Sequence, residues 1–196
     1  MSSHRDTLAV YDRDADRYAR MVAKENAQGM DIFLSALAPG SRVLDLGCGP
    51  GHHAAAMAAA GMRVLAVDGS AAMVAMTGRH PGVEARQVLF DDIATLPAVD
   101  GIWASFSLLH APRADLPRHL AALRGLVQPG APLFLGMKLG EGERVDHLGR
   151  FTAYFSEAEL RAELALAGFT VTQATPGRGK GLAGTVDDWL LLHAHA

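Results

Sequence analysis

The stretch Val43-Leu44-Asp45-Leu46-Gly47-Cys48-Gly49-Pro50-Gly51 decides how this chain is read. An apolar run, 42–46, leads straight into three alternating glycines. The Ala-rich segment 52–60 that follows favours a helix, with Gly61 as its C-terminal cap. The order is strand, glycine loop, helix. Glycines at that junction let the backbone take positive φ and approach a ligand closely.

The same alternation continues downstream. Residues 62–67 form a second strand ended by Asp68-Gly69, and Ser70 is placed to cap a helix over 71–79. A third strand spans 83–90, with Asp91-Asp92-Ile93 and a turn at Leu96-Pro97 behind it. A fourth spans 101–106, and the helix 116–127 tolerates Pro117 in its first turn. After Pro129-Gly130 comes a fifth strand, 133–137. Ser156 and Glu159 have capping-box spacing for a helix over 157–167, and strands over 169–173 and 189–193 complete the set. Upstream, 7–37 reads as helical and stops at Pro39-Gly40. Apolar strands alternating with helices imply an α/β fold, a mainly parallel sheet covered on both faces.

Composition narrows the class. The chain has 196 residues, 49% hydrophobic and 20% charged, with a formal net charge of −3. That suits one globular domain and argues against a nucleic-acid partner, which needs a basic face. No apolar run approaches the ~20 residues of a bilayer span, and residues 1–20 lack the apolar core of a signal peptide, so no membrane role and a cytoplasmic location are expected. The single cysteine, Cys48, rules out an internal disulfide or a multi-thiolate zinc site. The nine histidines are scattered, without i,i+4 pairs, so no metal is expected.

In an open α/β sheet, ligands bind beyond the carboxyl ends of the strands. Here three successive strand ends offer groups that suit an adenosine. The glycine loop allows close approach. Asp68 can accept from both ribose hydroxyls, and Asp92 from an adenine amine, with Ile93 against the ring.

These residues resemble the class I S-adenosylmethionine-dependent methyltransferases. The stretch from Val43 to Gly51 matches that family's first motif. The run from Val64 to Met73 resembles the second, with Asp68 at the ribose-binding position. Asp92-Ile93-Ala94-Thr95-Leu96-Pro97 resembles the third, and Asp100 to His110 the fourth. The resemblance spans roughly residues 40–175. It implies a Rossmann-like seven-stranded sheet with an antiparallel last strand. It also implies S-adenosylmethionine as cofactor, with Gly47, Gly49 and Gly51 facing its methionine part. On the same ground Met73 and Ser105 join the cofactor set, and Tyr11 or Tyr18 closes over it from the N-terminal helix. A nicotinamide-binding module fits less well, because its glycines run G-x-G-x-x-G.

The acceptor is read from what remains: an N-terminal helical lid, 1–38, and an insert, 138–155. Both are too short for a second domain, so one domain with a small lidded pocket and a small-molecule substrate is expected. An oxygen acceptor that must lose a proton calls for a base near neutral pKa, which points first to His110 after the fourth strand. His110 reads equally as a structural residue packing the loop before Pro112. In the insert, Arg144, His147 and Arg150 recur every third residue, so one helical turn can aim them at an anion; a solvated charged loop is the competing reading. His147 and Tyr154 join His110 as catalytic candidates, and Tyr11, Arg144 and Arg150 as substrate-binding ones. The sequence carries no Asn/Asp-Pro-Pro-aromatic motif after strand four, no cysteine there, and one cysteine in all, which by the resemblance disfavours base and arsenite methylation. The expected reaction is methyl transfer to an oxygen of a small anionic compound, by a monomer or homodimer. A catalytically silent cofactor-binding sensor or partner subunit is the alternative.

Overall fold

The computed structural model describes residues 2–23 and 27–196. In chain order it contains α1 (Ser2–Arg13), α2 (Ala15–Val22), α3 (Met30–Ser35), β1 (Arg42–Leu46), α4 (His52–Ala59), β2 (Arg63–Asp68), α5 (Ala71–Thr77), β3 (Val83–Gln87) and β4 (Gly101–Ser105). There follow α6 (Leu116–Arg124), β5 (Pro132–Lys138), β6 (Glu143–Val145), β7 (Phe151–Ala153), α7 (Glu157–Leu166), β8 (Thr170–Lys180) and β9 (Val186–His195). Seven strands form one sheet in the order β3-β2-β1-β4-β5-β9-β8. The first five are parallel, and β9 enters antiparallel between β5 and β8. This is the expected α/β architecture.

Burial follows from topology. The central strands β1, β4 and β5 are apolar almost throughout because helices cover both faces. The edge strand β3 instead exposes Glu84, Arg86 and Gln87, as an edge facing water should. Strand order reverses direction between β1 and β4, so the loops after these two strands flank the crevice where such sheets bind ligands.

Three expectations need correction. The helical stretch 7–37 is three helices: the chain leaves helical geometry at Asp14 (φ −103°, ψ 17°), and Gly29 restarts it from φ 85°. The insert is a β-hairpin, β6 paired antiparallel to β7, not a helical turn; Gly140, Gly142 and Gly149 carry the positive φ values that fold it. The last hairpin is longer than 169–173 and 189–193. Pro176 and Gly177 read as breakers, yet β8 is an edge strand where proline is tolerated. Gly177 is required there: a Cβ on it would lie 2.0 Å from the ring of its cross-strand partner Trp189.

The capping box at Ser156 and Glu159 forms as expected, with each residue bonding the other's main chain. Among the described residues, no helix is long and apolar enough to cross a membrane.

Candidate functional site

The glycine loop is held from two sides. Behind it, the Thr77 hydroxyl donates to the Gly49 carbonyl at 2.7 Å, and the His80 ring bonds the Pro50 carbonyl at 3.0 Å. In front, the Gly49 N–H donates to Asp68 at 3.0 Å. The other Asp68 oxygen accepts from the Ser70 N–H at 2.8 Å. Burial raises the Asp68 carboxyl above its ordinary range, and those main-chain donors partly offset the rise. Gly47 (φ 69°) has no room for a side chain, since a Cβ would sit 2.2 Å from Ser107 Cβ.

This cleft is lined by Gly47, Gly49, Asp68, Met73 and Ser105, which matches five of the expected cofactor positions. Tyr18 and Tyr11 border it from the N-terminal helices. Gly51 faces away, packed on Thr77 and His80. The third strand's end differs from expectation. Ile93 is fully buried in the core and Asp92 is exposed, and neither is among the residues that line the cleft as α1 lies. Leu89, 39% exposed, and Phe90 stand there instead, because the chain coils into a 3-10 turn from Phe90.

Two buried polar atoms beneath and within this cleft have no partner: Asp45 Oδ2 and Ser107 Oγ. Burial, reinforced by the charge of Asp68, pushes the Asp45 carboxyl up to about 8. A glycine cradle that excludes side chains, an acid at the β2 end and an unsatisfied hydroxyl are a donor set that fits S-adenosylmethionine.

A larger cavity of about 410 Å³ adjoins the cleft. The two spaces share Tyr11, Tyr18, Ser105, Phe106 and His110. Its floor is the face of β4, β5 and β9 that carries Trp103, Phe134, Leu191 and Trp189. Arg150, Lys138 and Lys180 reach it, with Asp187 bonded to Lys138 at 2.7 Å. Phe106, at the junction, is a non-glycine residue at φ 53°, a strained conformation that neighbouring structure must hold.

At the junction a chain of hydrogen bonds joins α1 to the β6–β7 hairpin and to His110 of a 3-10 turn. His110 Nδ1 lies 2.6 Å from the Phe151 carbonyl, which can only accept, so the ring proton sits on Nδ1. Tyr11 then donates to Nε2 at 2.8 Å, and Arg150 donates to the Tyr11 oxygen at 3.1 Å. Two further Arg150 bonds, at 2.9 and 2.7 Å, go to Asp146. Burial pushes the His110 imidazole down to about 3. Helix α1 is also fixed by Thr7, which accepts from the Phe151 N–H, and by Asp12, which accepts from the Ser70 hydroxyl at 2.5 Å.

The remaining candidates lie outside both spaces. Because the insert is a hairpin, Arg144 is exposed on β6, stacked 5.1 Å over the Tyr154 ring, and His147 is exposed at the turn. Tyr154 is half-buried on the outer side of this pair. Of Arg144, His147 and Arg150, read at three-residue spacing, only Arg150 is brought to the cavity.

A family model described as a methyltransferase domain matches residues 43–130. In that segment the chain is similar to methyltransferases. Among its relatives, trans-aconitate 2-methyltransferase of Delftia acidovorans is 33% identical, over 81% of this chain and 65% of that protein. The ubiquinone biosynthesis O-methyltransferase of Xanthomonas campestris is 32% identical, over 76% of this chain and 61% of that one. The chain thus spans less than two thirds of either relative's length. In fold it is similar to Burkholderia thailandensis 1,6-didemethyltoxoflavin-N1-methyltransferase, solved with that compound and S-adenosylhomocysteine (TM-score 0.72, 24% identity, all of this chain and 91% of that one).

Proposed function

We propose that this chain transfers a methyl group from S-adenosylmethionine to an oxygen of a small acid held in the larger cavity. The observation that carries the reading is the shared junction: the glycine-lined cleft opens into the cation-bearing cavity at Tyr11, Ser105, Phe106 and His110. When bound, the cofactor supplies an electrophilic methyl on a sulfonium, so positioning and exclusion of water are what the protein must add.

The residues divide that work. Gly47 and Gly49 let the main chain approach, and Asp68 accepts from the ribose hydroxyls. Arg150 still has two of a guanidinium's five N–H groups after its three bonds, enough to orient a carboxylate. His110 is a poor base, since it is buried where its cation is disfavoured and its Nδ1 proton is held by the Phe151 carbonyl. The acceptor therefore arrives already ionised, which favours a carboxylate or an acidic enol over an alcohol. The Delftia relative, named for trans-aconitate, supports the same class.

The lid has to move for this to happen. As α1 lies, the cleft holds about 60 Å³, against the ~300 Å³ or more of typical small-molecule sites. Loading requires the Tyr11 and Asp12 contacts to open.

The test is release of S-adenosylhomocysteine with a panel of small carboxylic acids, including trans-aconitate, by wild type, Arg150→Ala and Arg144→Ala. The expected result is a KM raised about tenfold or more in Arg150→Ala, from loss of a charged hydrogen bond, and unchanged in Arg144→Ala. No release with any acid, or an Arg150→Ala KM equal to wild type, contradicts the reading.

A further inference from the structure

The floor of the larger cavity carries a histidine that neither the cofactor motifs nor the junction explains. His53, in the first turn of α4, lines this cavity and not the cofactor cleft. The indole N–H of Trp103 donates to its Nδ1 at 3.2 Å. An indole nitrogen only donates, so Nδ1 must accept and the ring proton belongs on Nε2. Among the described residues no group bonds that Nε2–H, and His53 keeps part of its surface open to the cavity. The ring cannot turn away easily. His52 packs against it with centroids 3.9 Å apart, and Trp103 meets its edge at 5.3 Å.

We infer that His53 is a specificity-determining residue: its Nε2–H, fixed by Trp103, donates to a second oxygen of the acceptor, remote from the atom that is methylated. The inference rests on the proposed transfer and names the substrate class for that site. The strand geometry supplies the separation. Trp103 lies two residues before Ser105 on the same face of β4, and Ser105 is at the junction. At about 3.3 Å per residue, Trp103 and the ring it holds stand about 7 Å deeper than the junction. A ligand spanning that distance is a bifunctional acid, with one carboxylate near Arg150 and a carboxylate or carbonyl oxygen at His53. Burial pushes the His53 imidazole down to about 3, so it stays a neutral donor through the physiological range.

The test uses binding, so that it does not depend on turnover. Wild-type protein labelled with ¹⁵N on histidine is titrated with succinate, glutarate and trans-aconitate, and with butyrate as the acid that lacks a second oxygen. His53→Phe identifies the ring signal. The expected result is an Nε2–H tautomer in free protein whose signal shifts with at least one of the three polyacids and not with butyrate. His53→Phe should then weaken that polyacid tenfold or more, the loss of one hydrogen bond to a charged group, leaving butyrate and S-adenosylmethionine affinity within twofold. His53→Gln, which retains a distal N–H, should recover most of the loss. An Nδ1–H tautomer, no shift with any polyacid, or equal losses for polyacid and butyrate overturns the assignment. A protein that binds a polyacid through His53 and yet releases no S-adenosylhomocysteine contradicts the transfer and leaves the donor standing.

Discussion

Removing the Tyr11 hydroxyl tests how α1 is fastened. Tyr11→Phe deletes the donor to His110 Nε2 and the acceptor for Arg150, bonds of 2.8 and 3.1 Å. His110 Nε2 and one Arg150 N–H are then left buried without a mate, while the bonds of Arg150 to Asp146 and of His110 Nδ1 to Phe151 remain. Each such orphan costs about 1–3 kcal/mol, so the expected loss is roughly 2–5 kcal/mol, at the low end if water enters. In a chain of this size each kcal/mol lowers the melting temperature by about 2–4 °C. His110→Phe removes the same bond from the other side, so Tyr11→Phe in that background should cost less. Urea unfolding of the two single variants and the double should give a coupling energy of about 1–2 kcal/mol. Additivity within about 0.5 kcal/mol would refute the latch. The pH dependence adds a second check. The folded His110 pKa is depressed to about 3, so as pH falls from about 6.5 the unfolded chain takes up a proton that the folded one refuses. Stability drops across that window in wild type, and His110→Phe should remove its share of the drop.

Asp45 gives the opposite slope. Its folded pKa is raised from 3.8 to about 8, so between those values the unfolded chain has lost a proton the folded chain keeps, and stability falls as pH rises. Asp45→Asn should flatten the curve by about 1.4 kcal/mol per pH unit between pH 4 and 8; parallel curves in urea titrations would contradict this. Gly47→Ala places a methyl 2.2 Å from Ser107 Cβ and should lower S-adenosylmethionine affinity tenfold or more in a chain that still folds. Gly82→Ala also meets a positive φ, but its Cβ has 3.6 Å of clearance from Ala58, and calorimetry should find cofactor affinity unchanged. Ser156→Ala removes the cap of α7 and should cost about 1 kcal/mol, read from the urea midpoint.

The sheet was legible because its signals are local. The β1 run, the glycine loop and the Asp68 turn each declare themselves within a few residues, and helices on both faces make the central strands largely apolar. The insert was not legible. Arg144, His147 and Arg150 have helical spacing, but three glycines at positive φ decide the hairpin, and their conformation depends on β6 meeting β7. Asp92 and Ile93 kept their motif spacing while the 3-10 turn from Phe90 carried Ile93 into the core and Asp92 out to solvent. The larger cavity was the least visible. Trp103 faces Phe134 only because β4 pairs with β5, and Trp189 reaches the cavity because Gly177 makes room across β8 and β9. Such walls are set by strand order, which no local pattern reports.

The central claim is that this fold holds S-adenosylmethionine between its glycine loop and Asp68. Isothermal titration of wild type and Asp68→Ala with S-adenosylmethionine and S-adenosylhomocysteine tests it most directly. The variant removes the acceptor for the Gly49 and Ser70 N–H groups together with that for the ribose. The account predicts one-to-one binding of both compounds by wild type and a loss of at least tenfold in the variant. Failure of wild type to bind either compound at millimolar concentration, or equal affinity in the variant, would contradict it.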